Sequence, residues 1–445
     1  MTAYTDFSKQ QKDKNMILSI YHVAIPIDNG TQMLLHSFIS GETLKISLEL
    51  YECLQKGDWS TIPTDILEIL VSSRIVSDGS NEFPDYDAQS ETLYVALLPN
   101  SRCQLSCKYC GQQKLGHEMT EITQIMTLKF IKDNLNNNKY RHLKISWFGG
   151  EPALNVNIVR EMSLSLISMA KEYGCTYSSE IVTNGIALSN ETCDILVKDC
   201  QIGRFEITLD GFLDNERRVN AAGKGFYNEI VTNIQYLVTL PCLVIIRCNV
   251  DIYNKQSIFP MMEHFQRIGL HDKVDFYLAM VHSWGCETGS SALEAMDFAK
   301  FQVSVFEFMY DNGFRLTIDT LLPHREFPRM CIHQRGENCF LVDTYGLIYT
   351  CSEEPYTRTP EAIAGHVSTG RKQFYPRFQL NGKQLAYCQM CKVWPVCGGG
   401  CVKRYCEHGK TECVSLLYNM EERAILAYKL INSTQNTTNM VELQE

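Results

Sequence analysis

Three features that each define a large class of proteins are absent from this 445-residue sequence. No apolar run reaches the roughly 20 residues that a transmembrane helix needs. The segment from Met1 to Lys14 is polar and contains no apolar stretch of the kind that a secretory signal peptide carries. The net charge is −10 and no basic block is longer than a few residues, which argues against nucleic acid as the main partner. These absences predict a cytoplasmic protein that acts on neither membranes nor nucleic acid.

Cysteine, in contrast, is abundant, with 19 residues in the chain. Without a secretion signal, metal binding explains so many thiols better than a disulfide framework does. The motif Cys103-Gln-Leu-Ser-Cys107-Lys-Tyr-Cys110 places three of them within eight residues. Three soft ligands on one loop suit a [4Fe–4S] cluster with one iron left open, whereas a structural zinc site uses four ligands. The alternative is three unrelated core cysteines.

Residues 91–324 alternate between strand-like and helix-like segments, which is the pattern of a parallel α/β sheet. Six strands are predicted, at Leu93–Leu98, Leu143–Phe148, Ser179–Thr183, Phe205–Leu209, Leu243–Val250 and Val274–Met280. Helices are predicted between them, at Ile122–Leu135, Val156–Glu172, Glu191–Lys198 and Tyr227–Leu237. These units predict a partial (β/α)6 barrel of the TIM type, in which functional loops follow the C-terminal ends of the strands. The cysteine loop follows the first predicted strand.

Short polar motifs follow the next strands of the predicted barrel. Gly149-Gly150-Glu151-Pro152 closes the second strand; its glycines let a ligand approach the backbone, and its carboxylate can accept a hydrogen bond from an ammonium group. Thr183-Asn184-Gly185 and Leu209-Asp210-Gly211 end the third and fourth strands. Arg247 and Asn249 share one face of the fifth strand. They either bind a carboxylate and a ribose hydroxyl or only hydrogen-bond to each other. Each motif alone is more often a turn than a site, but together behind the cysteine loop they predict a ligand site.

The region 325–431 contains nine of the 19 cysteines and few long apolar runs. Such a segment buries little core, so we expect it to need metal clusters to fold. Four of its cysteines follow the pattern Cys388-x2-Cys391-x5-Cys397-x3-Cys401, with three glycines between the last two. The polar residues 432–445 are predicted to form a disordered tail. The remaining cysteines of the region are Cys331, Cys339, Cys351, Cys406 and Cys413.

Residues 1–90 are predicted to form a small α+β domain of winged-helix-like type, followed by a linker. Ile17–Ile27 and Gln32–Ile39 read as a hairpin around an Asn-Gly turn. A helix is expected at Thr43–Gln55, and a second begins near Pro63 and ends at Ser73. One interpretation is a structural extension. The other is a peptide-docking module that uses an exposed strand edge.

The cysteine motif, with Tyr109 inside it and the Gly-Gly-Glu-Pro motif downstream, resembles the radical S-adenosylmethionine (AdoMet) superfamily. The resemblance implies that Cys103, Cys107 and Cys110 hold a [4Fe–4S] cluster whose open iron binds AdoMet and cleaves it to a 5′-deoxyadenosyl radical. It also implies that Tyr109 lies near the adenine. The implied contacts to the methionine amine are Gly149, Gly150 and Glu151, and the weaker candidates for cofactor contact are Thr183, Asn184, Arg247 and Asn249.

The C-terminal cysteines resemble the SPASM domain, a module that binds two auxiliary [4Fe–4S] clusters, which would bring the total to three. Zinc is the alternative metal. Cys413 is preferred as the last ligand because a predicted helix, Leu416–Leu430, follows it; Cys406 is the rival. The resemblance assigns one auxiliary cluster to Cys331, Cys339, Cys351 and Cys401, and the other to Cys388, Cys391, Cys397 and the late cysteine.

Relatives with a SPASM domain mostly act on peptides or protein side chains. Sulfatase-maturing enzymes have a cluster loop close to the N-terminus and an aspartate where this chain has Ser352. Maturases of ribosomally synthesised, post-translationally modified peptides commonly place a leader-recognition domain ahead of the cluster loop, as residues 1–90 would be here. We therefore expect a peptide maturase that forms a C–C, C–O or thioether crosslink, with a precursor peptide and a donor such as flavodoxin or ferredoxin as partners. Side-chain oxidation of the sulfatase-maturing type and a non-catalytic iron–sulfur electron carrier are the alternatives.

Overall fold

The computed structural model describes residues 16–77, 91–112, 114–137, 140–282, 291–325, 338–349, 351–352, 362–372, 385–433 and 441–443. Within these ranges, no helix combines the length and the apolar character that crossing a bilayer requires. The described chain forms an N-terminal α+β unit, a large parallel sheet with helices, and a C-terminal part whose strands extend that sheet.

The N-terminal unit is built around an antiparallel sheet. Strands β2 (His22–Ile27), β3 (Gln32–Ser37) and β4 (Thr43–Ser47) pair in sequence, while β1 (Ile17–Leu18) and β5 (Val76–Ser77) pair with each other. Between β2 and β3, Asn29 (φ 58°) and Gly30 (φ 82°) both have positive φ, so the predicted hairpin is confirmed. The helices of the unit are α1 Leu48–Lys56 and α2 Thr64–Ser72.

The helix predicted at Thr43–Gln55 is wrong over its first turn, because residues 43–47 form β4 and α1 begins only at Leu48. Leu44 and Ile46 are fully buried while Lys45 between them is not, which is the two-residue period of a strand rather than the period of a helix. The predicted strand Ile17–Ile27 is likewise divided into β1 and β2.

All six predicted strands of the barrel region are confirmed, with ends that shift by a few residues. They pair side by side in parallel and in chain order, so the chain forms the parallel sheet of a partial barrel. The strands are β6 Thr92–Leu97, β7 His142–Trp147, β8 Thr176–Thr183, β9 Ile202–Thr208, β10 Leu243–Val250 and β11 Asp275–Met280. The helices are α3 Glu121–Asn137, α4 Val156–Glu172, α5 Asn190–Asp194 with a following turn at Ile195–Asp199, α6 Asp214–Arg217, α7 Tyr227–Leu237 and α8 Ile258–Arg267.

The sheet does not stop at the predicted domain boundary at residue 325. The first strand beyond it, β12 (Cys339–Val342), pairs in parallel with β6, and three further strands continue antiparallel from it. Cys339 therefore lies on a strand that pairs with the edge of the barrel. The elements are α9 Ala295–Asp311, α10 Ile318–Leu321, β12 Cys339–Val342, β13 Leu347–Tyr349, β14 Ile363–His366, β15 Gly370–Arg371, α11 Trp394–Cys397, α12 Val402–His408 and α13 Leu416–Ser433.

Two apolar cores share the N-terminal sheet. One face, with Val23, Ile25 and Leu34, belongs to the main core of the barrel and of α13. The other face packs under α1 and α2 in a separate core. Part of the predicted disordered tail is ordered: α13 runs to Ser433, and Val441–Glu442 form β16 beside β4, because Leu443 is buried in the second core.

Candidate functional site

A cavity of about 210 Å³ opens at the C-terminal ends of β6–β11. Parallel strands present their following loops at one rim, which is why residues far apart in the sequence meet there. The structure brings together all the site residues that the sequence predicted for the barrel. The cavity is lined by Cys103, Cys107, Tyr109, Cys110, Gly149, Gly150, Glu151, Thr183, Asn184, Arg247 and Asn249, among others.

The cysteine loop follows β6 and is tied to its surroundings through the backbone. The Ser106 amide donates to the carbonyl of Val219 at 2.7 Å, and the Cys110 amide donates to the carbonyl of Cys107 at 3.2 Å. Burial raises the pKa of the Cys107 thiol to about 12, and nearby Arg218 opposes that shift. A cationic iron cluster would offset the cost of the buried thiolates.

The chemistry of the donor set fits a [4Fe–4S] cluster with one iron open to a ligand. The described lining of the cavity contains three cysteines, one fewer than the four ligands of a closed cluster. Among the described residues, no three His, Cys, Asp or Glu side chains converge closely enough to hold a single metal ion. Cluster thiolates each bind a different iron, so a cluster site does not require that convergence.

The Gly149-Gly150 pair allows the loop after β7 to pack on the cysteine loop. A Cβ atom on Gly150 would lie 2.1 Å from the carbonyl oxygen of Arg102, and Gly149 has a φ of 120°. The Glu151 amide donates to that same carbonyl at 2.7 Å. Asn100 adds a hydrogen bond from its Nδ2 to the carbonyl of Glu151 at 2.8 Å. Both glycines thus allow the two loops to pack closely, in addition to leaving room for a ligand.

The Glu151 carboxylate is fully buried and joins the ends of β7 and β8. It accepts hydrogen bonds from Thr183 Oγ1 at 2.6 Å, from the Asn184 amide at 2.6 Å and from the Ala153 amide at 3.0 Å. Burial raises the pKa of Glu151, and these three donors oppose the rise. A carboxylate has about four acceptor positions, which leaves one for a donor on a ligand.

Asn184 connects this network to the cluster loop. Its Nδ2 lies 3.6 Å from Cys103 Sγ and 3.2 Å from Gln104 Oε1. A hydrogen bond to a cluster sulfur stabilises the thiolate and tunes the reduction potential of the cluster. The predicted Thr-Asn-Gly motif therefore contacts the cysteine loop directly.

Asp210 anchors the cysteine loop from the other side of the cavity. This buried carboxylate accepts a hydrogen bond from the Tyr109 hydroxyl, and its Oδ1 accepts from the Asn249 amide at 2.9 Å and from Asn249 Nδ2 at 3.2 Å. Burial raises the pKa of Asp210, and Arg218 counteracts it. Arg247 Nε donates to Asn249 Oδ1 at 3.0 Å, so these two residues satisfy each other and also line the cavity.

The model of the radical SAM superfamily matches residues 97–250, the segment that begins at the end of β6 and contains the cysteine loop and the four strands β7 to β10. The chain contains a radical SAM domain.

Two curated relatives share sequence with this chain. The radical SAM cyclopropyl synthase TigE of Paramaledivibacter caminithermalis is 24% identical over 228 residues, which are 42% of this chain and 47% of TigE. The serine-type anaerobic sulfatase-maturating enzyme of Bacteroides thetaiotaomicron is 25% identical over 162 residues, 34% of this chain and 38% of the relative. The alignments span less than half the length of either relative.

Solved structures show the same fold. Native anSMEcpe with bound AdoMet and Cp18Cys peptide superposes with a TM-score of 0.59 at 18% identity, and the match covers 78% of this chain and 99% of that one. The radical SAM barrel and much of what surrounds it therefore share one architecture with that protein.

Arg218 also lines the cavity and is absent from the site residues that the sequence predicted. Its side chain is 2% exposed, and its guanidinium donates to Asp214 Oδ1 at 2.9 Å and to the carbonyls of Thr208 and Asn184. This buried cation stands close to the Cys107 thiol and to Asp210. Two consecutive arginines after the fourth strand were the available signal.

His282 is a second lining residue that sequence reasoning missed. It follows β11, and its Nδ1 lies 3.3 Å from Glu412 Oε2, which Arg404 Nη1 contacts at 2.8 Å. Burial lowers the pKa of His282 to about 4. No sequence signal linked it to Glu412, because 130 positions separate the two residues.

Four of the C-terminal cysteines, Cys388, Cys391, Cys397 and Cys413, lie near one another, and Cys351 shares an apolar cluster with Cys388 and Cys391. Burial raises the pKa of Cys388 to about 11, and the neighbouring thiols of Cys397, Cys391 and Cys413 add to the rise. Cys413 thus lies near the three predicted partners, whereas Cys406 is exposed. Cys339 and Cys351 are buried. Cys401 precedes α12, and Cys331 lies outside the described residues.

Proposed function

We propose that this chain is a radical AdoMet enzyme that modifies a precursor peptide. The observation that carries the proposal is the single cavity in which Cys103, Cys107 and Cys110 meet the Glu151 loop at the C-terminal rim of the barrel. A [4Fe–4S] cluster on these thiols would supply one-electron cleavage of AdoMet to a 5′-deoxyadenosyl radical, which removes a hydrogen atom from the substrate. Both curated relatives carry the names of modifying enzymes.

The residues of the chain would position the cofactor. The Glu151 network keeps the Gly149-Gly150 backbone against the cysteine loop, with one carboxylate position left for the methionine amine. Arg247 and Asn249 present a cation and an amide at the same rim for the carboxylate and the ribose of AdoMet. Arg218 supplies a fixed positive charge beneath Cys107, where the buried thiolates need it.

The proposed substrate is a precursor peptide whose leader binds the N-terminal unit and whose core enters the barrel. The product is an intramolecular C–C, C–O or thioether bond, formed when the carbon radical attacks a neighbouring side chain. The second hydrogen would leave as a proton, and two auxiliary clusters on the C-terminal cysteines of a SPASM-type domain would accept the remaining electron. An external donor of the flavodoxin or ferredoxin type would supply the first electron. The name of TigE describes it as a cyclopropyl synthase, and a cyclopropyl ring is closed by a carbon–carbon bond.

The second candidate is oxidation of a protein side chain of the sulfatase-maturing type. The similarity to the enzyme of Bacteroides thetaiotaomicron favours it. Ser352 argues against it, because a hydroxyl is a poor proton acceptor at the position where that subgroup is expected to use an aspartate.

Replacing Cys107 with Ala tests the radical chemistry. We expect 5′-deoxyadenosine formation to fall to background in the anaerobically reconstituted, reduced variant, because the cluster loses one of its three cavity ligands. The matched control is Cys175→Ala, at a half-buried thiol whose Sγ faces the carbonyl of Tyr140 at 3.2 Å outside the cavity, and it should keep its activity. Full cleavage of AdoMet by Cys107→Ala would refute the assignment.

Mass spectrometry of a candidate precursor peptide separates the two reactions. A crosslink removes two hydrogens, suppresses fragmentation within one segment of the peptide and leaves nothing for hydroxylamine to trap. Side-chain oxidation to an aldehyde leaves the fragment series complete and gives a hydroxylamine adduct. The first result supports the crosslinking proposal, and the second replaces it with the sulfatase-maturing one.

A further inference from the structure

The β4 edge of the N-terminal sheet already has an added strand. The sheet order is β16-β4-β3-β2, and β16 runs parallel to β4 with Val441 opposite Leu44 and Glu442 opposite Lys45. The Leu443 amide donates to the carbonyl of Lys45 at 3.0 Å. The opposite edge is β2, which contains Pro26 and so lacks one of the amide donors that an added strand needs. Strand addition is therefore better supported at β4.

The residues of β16 are recognised through their side chains as well as their backbone. Lys45 Nζ lies 3.3 Å from Glu442 Oε1 and 3.1 Å from Asp28 Oδ2, and the Lys45 side chain is only 17% exposed. Leu443 is 8% exposed and belongs to the apolar core under α1 and α2. Val441, in contrast, is exposed. The β4 edge thus offers main-chain hydrogen bonds, the largely buried ammonium group of Lys45, and the apolar core position that Leu443 fills.

We infer that the β4 edge is the site where the N-terminal unit binds its peptide, and that residues 441–443 occupy it as an intramolecular stand-in. The ligand that fits is a short extended segment with an acidic residue followed directly by a large aliphatic one, running parallel to β4. This inference rests on the proposed function, because it identifies the ligand with part of the precursor peptide.

The physical argument is that strand addition takes its affinity from main-chain hydrogen bonds and its specificity from side-chain pockets. A tethered strand competes at an effective concentration in the millimolar range, so it excludes peptides that lack either the charge or the aliphatic side chain. It also covers an edge that would otherwise pair with other chains. A precursor that satisfies both subsites displaces residues 441–443.

A seven-residue probe tests the edge without knowledge of the precursor. The probe is a fluorescein-labelled peptide of residues 439–445, Asn-Met-Val-Glu-Leu-Gln-Glu, and the protein is the reconstituted chain lacking residues 441–445. We expect saturable binding by anisotropy, weakened about tenfold in the full-length protein if the tethered strand is docked in about nine-tenths of the molecules. Full-length Glu442→Lys, which keeps the chain length, should bind the probe nearly as well as the truncated protein.

Matched variants identify the two subsites. A Glu442→Lys probe and a Leu443→Ala probe should each bind the truncated protein about tenfold more weakly or worse. The Lys45→Glu protein should recover binding of the Glu442→Lys probe, which a loss of folding would not produce. The inference is overturned if the truncated chain, with unchanged circular dichroism, does not bind the probe.

The precursor provides the second test. We expect it to displace the probe competitively and to bind the truncated protein about tenfold more tightly than the full-length protein. A precursor that is modified without displacing the probe would make β16 a structural strand only and would overturn the inference. Cleavage of AdoMet without any peptide tests the proposed function separately, since the cavity lies in the barrel and not at this edge.

Discussion

At the scale of single residues, the cavity depends on short polar groups that hold loops together more than on groups that face a ligand. Glu151 uses three acceptor positions within the protein, and Asp210 accepts from both Tyr109 and Asn249. Gly150 belongs to the same set, because its missing side chain makes room for the carbonyl of Arg102. Cofactor binding and loop packing are consequently inseparable here.

Gly150→Ala should weaken AdoMet binding at least about tenfold, because a Cβ atom 2.1 Å from a backbone oxygen forces the two loops apart and overpacking costs about 1–3 kcal/mol. Equilibrium binding of AdoMet to the anaerobically reconstituted protein measures this. The matched control is Gly203→Ala on β9, where a Cβ atom meets nothing within 4 Å, and it should leave the dissociation constant unchanged. Equal affinities in the two variants would contradict the proposed contact.

At the scale of elements, the segment from β4 to α1 shows how a cap decides where a helix begins. Ser47 has extended backbone angles, and its Oγ accepts from the Leu50 amide at 3.0 Å. The chain can therefore leave the sheet and enter α1 at one residue. Helix α1 then places the side chains of Leu50 and Leu54 in the second core.

Ser47→Ala should destabilise α1 by about 1 kcal/mol, because an amide of the first turn loses its acceptor. Hydrogen exchange followed by mass spectrometry should show roughly fivefold faster exchange in α1 and no change in α4. Ser165→Ala in α4 serves as the control. The Ser165 hydroxyl donates to the carbonyl of Glu161 in the preceding turn at 3.1 Å, and alanine is the better helix former there. Unchanged protection of α1 would show that the cap contributes little.

At the scale of the whole molecule, the N-terminal unit is part of the packed body of the protein. One face of its sheet, including Phe38 on the chain after β3, belongs to the main core. Tyr428 on α13 donates to Asp28 at 2.6 Å. Removing the unit would expose this core face, so point variants on the β4 edge are a cleaner test of peptide binding than a deletion.

The buried His36 makes the stability of the folded protein depend on pH. It is 1% exposed, its Nδ1 lies 2.9 Å from Thr43 Oγ1, and burial lowers its pKa to about 3. Below the ordinary pKa of about 6.5, the unfolded chain binds a proton that the folded chain does not, so stability decreases as the pH falls. The contribution reaches up to about 2 kcal/mol between pH 7 and pH 5.

His36→Asn should keep the hydrogen bond to Thr43 and remove this pH dependence. Thermal unfolding at pH 7 and pH 5 should show a smaller drop in Tm for the variant than for the parent chain. His142→Asn, at an exposed histidine of β7, should behave like the parent. The acid sensitivity of the proposed iron–sulfur cofactor would be common to all three proteins and would cancel in the comparison. An identical drop in His36→Asn would assign the acid sensitivity to other groups.

The sequence by itself determined the cysteine loop, the six barrel strands and the polar motifs at their ends, because each depends on local spacing or on a two-residue period. Only the tertiary structure decided that residues 43–47 are a strand, since β4 exists through its pairing with β3 and its burial under α1 and α2. The same holds for Arg218 beside Cys107, for His282 beside Glu412, and for Leu443 beside Lys45. Hundreds of positions separate some of these partners, and no local pattern records a contact that exists only once the sheet and its surrounding helices are packed.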